Sequence, residues 1–431
     1  MASVDTSNPP ERAPVADEVS VAVAAEVPVL ATTLGAYLRA WAKRVRSGES
    51  GVLPVLGGLI ILTVIFQAKS SVFLSAGNIT NLLIQGSTFM VLGMAEVWVL
   101  ILGEIDLSVG YVSAIGAVIT AIMVGPPHPL PLWVAMPVGI LVTAAIGALW
   151  GTLVIRLGLP SFVVTLAGLL GGEGVLIWLV NGNGTGGTIR ISDNVFLDLT
   201  SGNLSPAAGW VVAIATVAVF GGLIFLRDRN RRRSGLVAPP QIVTVAKIVG
   251  MAAAGVVLVL VCNTNRGELV PLRGVPYAVI VVIAVVVLMS FVLSRTRFGR
   301  YLYAIGGNAE AARRSGVSLG WNRLWAFVLT GATAGIGGML YAARLGSVSN
   351  NVDGGTLVLY AVAAAVIGGA SLFGGRGKMV HALLGGIVIA TIYNGMGLIG
   401  LAADYQYMIT ALVLLAAVTV DALARRGRTA G

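Results

Sequence analysis

The strongest constraint on the fold is a succession of long apolar segments separated by short polar links. A bilayer core about 30 Å thick requires roughly 20 apolar residues per helix. Segments close to that length lie at 51–67, 80–102, 107–124, 132–155, 161–180, 207–226, 242–262, 276–293, 324–343, 356–371, 379–399 and 405–421. Because 57% of the residues are hydrophobic and only 11% are charged, too little polar surface remains for a soluble protein. We therefore expect an all-α, polytopic integral membrane protein with about 10–12 transmembrane helices.

Two places weaken the count of twelve spans. The segment 356–371 is short, and the link at 103–106 is tight. A re-entrant segment at either place would change the count. Two further stretches, "GEIDLSVG" at 103–110 and "GGASLFGG" at 368–375, share the spacing Gly-x-x-x-Leu-x-x-Gly. They suggest an internal repeat of the kind from which many transporters are built, although the match is short in a chain rich in glycine.

Lysine and arginine are distributed unevenly among the links. If the N-terminus is cytoplasmic, the inside links contain 21 of these residues and the outside links contain 5. This asymmetry follows the positive-inside rule and predicts that both termini are cytoplasmic. Paired errors in the span count would leave the same distribution, so the charges constrain the orientation more tightly than the number of spans.

The apolar segments also define the domain organisation. Residues 1–48 contain acids and prolines without a basic start, and we expect a disordered cytoplasmic tail. Residues 49–424 form the transmembrane domain, and 425–431 form a second cytoplasmic tail. The basic stretch 227–241 is expected to be a cytoplasmic loop that either anchors the topology beside anionic lipid or binds another protein. The polar, turn-rich stretch 181–206 suits an external loop.

Several kinds of chemistry are disfavoured by residue content. A lone cysteine, Cys262, excludes an intramolecular disulfide bond and a cysteine-based metal site. With only two histidines, His128 and His381, no metal site is expected. The stretch "GGRGK" at 374–378 lacks the spacer and hydroxyl residue of a phosphate-binding loop. We predict no catalytic residue and no cofactor, and the net charge of +10 reflects membrane topology rather than nucleic-acid binding.

Three acidic residues lie in or beside the apolar spans, where an unpaired carboxylate is costly. Asp106 is predicted to cap the helix that follows it. Glu173, between two glycines, could form a hydrogen bond between helices or line a pathway. Glu96 is expected to make a structural hydrogen bond. Because no span carries alternating acids and bases, an ion-coupled carrier is disfavoured without being excluded.

The stretch "GNAEAARRSG" at 307–316 predicts a helix of about two turns. Asn308 is a favourable N-cap, and Gly316 is placed to end the helix in a left-handed conformation. The residues between them have strong helix propensity or suit the helix dipole; they include Glu310, Ala311, Ala312, Arg313, Arg314 and Ser315. Because so short a helix is marginal alone in water, we expect its small alanine face to dock against something. A solvated surface turn is the alternative.

These residues carry a resemblance. "EAARRSG" is similar to the Glu-Ala-Ala-x-x-x-Gly loop of ABC importer permeases. The wider stretches 296–317, 103–110 and 366–378 resemble the sugar branch of that superfamily, the ribose/xylose-type permeases. The resemblance runs from about residue 75 to 425, and the Arg-rich insertion at 227–275 is most like the D-xylose permease subgroup. No hydrophobic-Pro pair follows Gly316, which separates the chain from the maltose-type permeases.

The resemblance implies a function. The segment 308–316, within the cytoplasmic stretch 295–323, would be the coupling helix that docks on an ATP-binding subunit, and the chain itself would hydrolyse no ATP. A second copy of the chain, an extracytoplasmic sugar-binding protein and membrane lipid are the other implied partners. The expected activity is ATP-driven alternating access that moves a monosaccharide, D-xylose or a similar pentose, across the bacterial plasma membrane.

A sugar requires hydrogen bonds rather than a charge, so neutral polar groups should line its path. The candidates are Ser108, Ser371 and Asn394, with Asp106 and Glu173 as acidic candidates. Three alternatives stay open: a permease of the same fold for branched-chain amino acids or another small metabolite, an ion-coupled secondary carrier, and a membrane scaffold that transports nothing.

Overall fold

The computed structural model describes residues 53–127, 129–236, 238–267 and 270–429, together with Gly35 and Arg39. Apart from those two residues, the predicted tail at 1–48 lies outside the described part of the chain. Residues 430–431 of the second predicted tail lie outside it as well.

The described residues form fifteen helices of four or more residues and one pair of short strands. In chain order they are α1 (Leu53–Lys69), α2 (Ala76–Leu100), α3 (Val109–Val124), α4 (Leu132–Leu157), α5 (Ser161–Asn183), β1 (Thr188–Arg190), α6 (Asn194–Ser201), α7 (Pro206–Arg233), α8 (Gln241–Asn263), α9 (Tyr277–Arg295), α10 (Arg297–Gly307), α11 (Ala309–Arg314), α12 (Leu319–Leu345), β2 (Ser347–Ser349), α13 (Gly354–Ile367), α14 (Met379–Leu398) and α15 (Ala403–Thr429). The predicted all-α class is confirmed.

Every predicted apolar segment coincides with one helix. In the described part of the chain, eight helices are long and apolar enough to cross a membrane, and three apolar helices are shorter. Two of these shorter helices, α3 with 16 residues and α13 with 14, rise only about 24 Å and 21 Å at 1.5 Å per residue. Helix α13 corresponds to the short segment 356–371, and α3 follows the tight link 103–106, which are the two places that weaken the span count. Neither helix alone covers a bilayer core.

The helices differ sharply in how much of their surface the protein covers. The most apolar window of α2 is 89% buried, whereas those of α7 and α8 are each 11% buried. Helix α2 therefore lies at the centre of the bundle, and α7 and α8 form a peripheral hairpin. The hairpin corrects one expectation. Residues 227–233 of the predicted basic loop 227–241 continue helix α7, and Gln241 begins α8, so the connection is shorter than predicted.

Small residues bring the central helices close together. A methyl group on Gly331 of α12 would clash with the carbonyl oxygen of Thr143 in α4, and one on Gly338 would clash with that of Ser113 in α3. Close backbone approach through small residues is the usual basis of helix packing in membranes. It explains why a chain with 57 glycines forms regular helices.

The links separate into two groups at opposite ends of α12. Near its first turn, Arg323 forms an ion pair with Glu104 at 3.4 Å, and the links 101–108 and 368–378 meet there. Strand β2 follows the last turn of α12 and pairs antiparallel with β1. Since α12 has 27 residues and rises about 40 Å, these two links lie at the opposite end of the bundle from the strand pair.

Candidate functional site

Helices α10 and α11, with the residues that follow them to Val317, form a compact segment that we call the coupling segment (297–317). Helix α10 begins at the Thr296 cap, whose hydroxyl oxygen accepts a hydrogen bond from the Gly299 nitrogen at 3.3 Å. The apolar residues of α10 lie on one side of the helix, and two of them, Leu302 and Ile305, are buried in the protein interior. The coupling segment is therefore held to the bundle by the apolar face of α10.

Helix α11 has the caps that the sequence predicts. The Asn308 side chain accepts a hydrogen bond from the Ala311 nitrogen at 2.9 Å. At the other end, Gly316 has a φ of 84°, and the Val317 nitrogen donates to the Ala312 oxygen at 3.0 Å. This is the pattern of a glycine-terminated helix, so the two-turn helix is defined by its own local residues.

The alanines of α11 do not share one face. Ala312 is 3% exposed and belongs to the same buried cluster as Ile101, Leu302 and Ile305, whereas Ala311 is exposed. Ala312 therefore docks against the chain itself, and its predicted role in coupling to an ATP-binding subunit stays a prediction. The period of the helix explains this result, because adjacent residues point about 100° apart.

Charged side chains cover the exposed side of α11. Glu310 accepts hydrogen bonds from Arg313 and Arg314, with nitrogen–oxygen distances of 2.9 Å in each case. Hydrogen bonds from Arg313, which contributes more, and from Arg314 hold the pKa of the Glu310 carboxyl below its ordinary value. Both arginine side chains remain largely exposed, 65% and 77%. Ser315 is also exposed, so this side of α11 is a polar surface available to a partner.

The coupling segment contacts both glycine-rich links directly. A methyl group on Gly306 would clash with the Ile101 oxygen and would lie 2.6 Å from the Gly375 nitrogen. The Gly375 nitrogen in turn donates to the Ile101 oxygen at 2.8 Å. Two links that share a sequence spacing thus meet beneath the end of α10. The two links thus lie at the same end of the bundle, whereas the internal repeat itself stays a prediction.

Asp106 and Ser108 shape the link between α2 and α3. One carboxylate oxygen of Asp106 accepts hydrogen bonds from the Ser108 nitrogen at 2.9 Å and the Ser108 hydroxyl at 2.6 Å. Both residues are buried. The prediction that Asp106 caps the next helix is wrong in detail, because Ser108 occupies the cap position of α3. The pair stabilises a buried turn, and its predicted place on the translocation path stays a prediction.

The two remaining acidic residues have different surroundings. Glu173 of α5 is partly buried and follows Gly172, which lies against Tyr111 of α3. Glu96 of α2 is fully buried, and within the described structure neither of its carboxylate oxygens has a hydrogen-bond partner. The expected structural hydrogen bond of Glu96 is therefore wrong. No cluster of three or more possible metal ligands occurs among the described residues.

Ser371 lies in the link 368–378 rather than in a helix. It is 1% exposed, and its hydroxyl oxygen accepts a hydrogen bond from the Phe373 nitrogen at 3.2 Å. Its own nitrogen donates to the Arg376 oxygen at 3.0 Å. The residue therefore fixes the link that contacts Gly306, and its predicted place on the translocation path stays a prediction.

Asn394 of α14 lies beside a cavity at the opposite end of the bundle from the coupling segment. Its side-chain oxygen accepts a hydrogen bond from Asn78 of α2 at 2.9 Å. The cavity has a volume of about 370 Å³. Its side-chain amides and phenol come from α2, α14 and α15, and they belong to Asn78, Asn81, Gln85, Tyr393, Asn394 and Gln406.

Of these residues, only Asn394 is a candidate from the sequence. The sequence does contain a pattern that could have identified three others. Asn78, Asn81 and Gln85 are spaced at i, i+3 and i+7 and therefore share one face of an apolar helix. Gln406 has no such signal. Its approach to Asn394 depends on how α15 packs against α14, which local sequence does not determine.

Comparison with known proteins places this architecture in a family. Residues 78–418 match the family model described as "Branched-chain amino acid transport system / permease component". The Escherichia coli K12 protein named "Xylose transport system permease protein XylH" is 32% identical over 379 residues, which cover 87% of this chain and 92% of that protein. The XylH protein of Haemophilus influenzae is 35% identical over 369 residues, covering 84% and 93%.

A third relative is the "D-allose transport system permease protein AlsC" of Escherichia coli K12. It is 30% identical over 367 residues, which cover 85% of this chain and 90% of that protein. No solved structure matches the chain.

The eight long apolar helices and the family match together define a membrane permease in class. The chain belongs to the family of permease components of transport systems, as the match over 78–418 and the relatives show. Consistent with its eight long apolar helices, it is a multi-pass protein of the plasma membrane.

Proposed function

We infer that this chain is the membrane-spanning permease of an ABC importer that moves a monosaccharide, D-xylose or a similar pentose, by ATP-driven alternating access. The observation that carries the proposal is the coupling segment. It presents a polar, exposed side while its opposite side rests on Ile101 and Gly375 at the ends of central helices.

The contacts of the coupling segment suggest how it acts. If an ATP-binding subunit displaces α11, the burial of Ala312 and the close packing of Gly306 transmit the movement to the link 101–108. The hydrogen bond from Tyr303 to Gly377 transmits it to the link 368–378. These links join α2 to α3 and α13 to α14. Since α3 and α13 are the short helices of the centre, rigid-body rocking of the bundle around them is the expected motion.

The choice of substrate rests on the relatives. The family description names branched-chain amino acids, whereas the three relatives are named for xylose and allose. Similarity to them extends over most of each chain, so we favour a monosaccharide. The partners are then two ATP-binding subunits, a second copy of this chain and an extracytoplasmic sugar-binding protein. ATP is bound by the partner subunits, and the permease holds no cofactor.

The test is transport by a reconstituted system. Vesicles that contain the chain, its ATP-binding subunit and its binding protein should accumulate D-xylose when ATP is supplied on the cytoplasmic side. The control contains an ATP-binding subunit whose catalytic acid has been replaced, and it should accumulate none. Uptake of leucine instead of xylose would identify the amino-acid alternative. ATP hydrolysis by the purified chain alone would contradict the permease assignment.

One observation favours a second candidate function, that of an ion-coupled carrier. Glu96 is a fully buried acid of α2 without a hydrogen-bond partner among the described residues, and such residues mark proton pathways in ion-coupled carriers. Vesicles without ATP or partner subunits, energised only by a proton gradient, distinguish the two functions. A carrier accumulates substrate under these conditions, and an ABC permease does not.

A further inference from the structure

The cavity at the end of the bundle opposite the coupling segment contains an unused hydrogen-bond acceptor. Gln85 of α2 lines the cavity and is 8% exposed. Its side-chain oxygen is buried and has no hydrogen-bond partner in the described structure. A buried polar atom without a partner is unfavourable. Because this oxygen lies behind the cavity surface, it accepts a hydrogen bond from a ligand once the Gln85 amide turns toward the cavity.

Three other amides of the cavity, those of Asn78, Asn394 and Gln406, are held by hydrogen bonds. The Asn78 side-chain nitrogen donates both to the Phe73 oxygen at 2.8 Å and to the Asn394 oxygen at 2.9 Å. Because the Asn394 oxygen points toward Asn78, its amide nitrogen points elsewhere. Gln406 donates to the Leu401 oxygen at 2.7 Å, which leaves its own oxygen as an acceptor. The cavity therefore offers both donors and acceptors in an arrangement that exists before any ligand binds.

An aromatic cluster supports one side of the cavity. The ring of Tyr393 lies 5.7 Å from Phe89 and 6.1 Å from Tyr360, and both contacts are edge-on. Such contacts fix the ring in place. Rigid polar groups beside an aromatic ring suit a ligand that has both hydroxyl groups and C–H faces.

The lining discriminates between classes of ligand. In the described structure, no lysine, arginine, aspartate or glutamate lines the cavity. An amino acid would bring an ammonium group and a carboxylate, which require opposite charges when water is excluded. A neutral polyhydroxy compound requires only hydrogen bonds. The volume of about 370 Å³ lies within the range of roughly 300–1,000 Å³ that is typical of small-molecule sites.

We propose that this cavity is a binding site for the transported monosaccharide within the permease itself, with Gln85, Asn78, Asn394 and Gln406 as its hydrogen-bonding groups. This inference rests on the proposed function. The site lies at the predicted external end, so it receives the sugar after the binding protein releases it. The permease thus selects its substrate a second time, by requiring a neutral ligand.

The test is protection from chemical modification. Gly397→Cys places a thiol in the cavity, and Gly77→Cys places one at the same end but outside it; a side chain at either position meets no atom within 4 Å. The one native cysteine, Cys262, is buried. Membrane vesicles that contain either variant, without binding protein or ATP, are treated with a polar maleimide at increasing D-xylose concentrations.

We expect D-xylose to slow the modification of the Gly397→Cys variant and to leave the Gly77→Cys variant unaffected, and L-valine to protect neither. Adding Gln85→Met, which keeps the length of the side chain but removes the amide, should raise the xylose concentration needed by about five- to tenfold, the effect of losing one buried hydrogen bond. The Gly77→Cys variant with Gln85→Met is the control. Its rate of modification should be unchanged if Gln85→Met leaves the fold intact.

Two results would overturn the site. The first is that D-xylose at any concentration fails to slow modification of the Gly397→Cys variant, in a preparation that imports xylose when its partners are added. This result would contradict the cavity site but not the proposed function. The second is protection by L-valine, which overturns the ligand class. Failure of the wild-type system to import any monosaccharide is a separate outcome that overturns the proposed function instead.

Discussion

The hydroxyl group of Tyr303 donates a 2.6 Å hydrogen bond to the carbonyl oxygen of Gly377. This bond joins α10 to the link 368–378, 74 residues further along the chain. Burial raises the pKa of the Tyr303 phenol above its ordinary value, so the group remains protonated and able to donate at physiological pH.

Tyr303→Phe removes that hydrogen bond and leaves the ring in place. The change costs about 1 kcal/mol of stability, which a chain of this size tolerates, so expression should be close to normal. If the bond transmits movement, D-xylose transport per ATP hydrolysed should fall several-fold. Parallel measurement of transport and hydrolysis in proteoliposomes checks this expectation, and an unchanged ratio would remove Tyr303 from the coupling route.

Gly306 and Gly307 are adjacent residues with opposite surroundings. A methyl group on Gly306 would clash with the Ile101 oxygen, whereas one on Gly307 meets no atom within 4 Å. Gly306→Ala should therefore push α10 away from both links and reduce transport by at least about tenfold, since overpacking typically costs 1–3 kcal/mol. Gly307→Ala is the matched control and should behave as wild type. Equal transport by the two variants would show that the contact with Ile101 is not required.

Substitutions at Ala311 and Ala312 distinguish docking of the partner from packing within the chain. Ala311→Trp places a bulky ring on the exposed side of α11, and it should abolish stimulation of the ATP-binding subunit while the melting temperature of the permease stays unchanged. Ala312→Trp should instead lower the melting temperature, because Ala312 is 3% exposed and its site cannot hold a ring. Copurification of the ATP-binding subunit measures docking. Normal copurification with the Ala311→Trp variant would contradict the proposed role of this face.

The sequence predicts α11 well because the signals for a helix end are local. Asn308 and Gly316 lie at the positions that a capped helix requires, and the side-chain bond and the positive φ follow from those residues alone. The apolar spans are equally local, because length and hydropathy define them. Local sequence also shows where the span count is uncertain, at the segment 356–371 and the link 103–106, because the helices there, α13 and α3, are short.

Relationships between distant parts of the chain could not be predicted in this way. That Ala312 faces inward depends on where α10 packs, and that Gln85 approaches Gln406 depends on the arrangement of α2, α14 and α15. Ser371 and Ser108 are polar residues near glycines, a pattern that fits a path and a tight turn equally well. Their hydrogen bonds to Phe373 and Asp106 identify them as turn residues only once the links are folded.

Gly316 tests whether the end of α11 must be fixed. Its φ of 84° lies in the left-handed region, and a side chain there would meet no atom within 4 Å. Any effect of a substitution therefore comes from the backbone and not from a clash. Gly316→Val should be strongly unfavourable, because left-handed backbone costs roughly 1–2 kcal/mol for an ordinary residue and more for a β-branched one. Gly316→Asn is the control, since asparagine adopts this conformation readily.

We expect the Gly316→Val variant to insert normally, because the residue lies outside every membrane-spanning helix, and to lose most of its transport and its binding-protein-stimulated ATP hydrolysis. The Gly316→Asn variant should retain both activities. Limited proteolysis after Arg313 and Arg314 reports on the helix directly, and cleavage should be faster only in the valine variant because its last turn unwinds. If the valine variant transports as well as the asparagine variant, the left-handed end of α11 is dispensable and α11 does not act as a rigid coupling element.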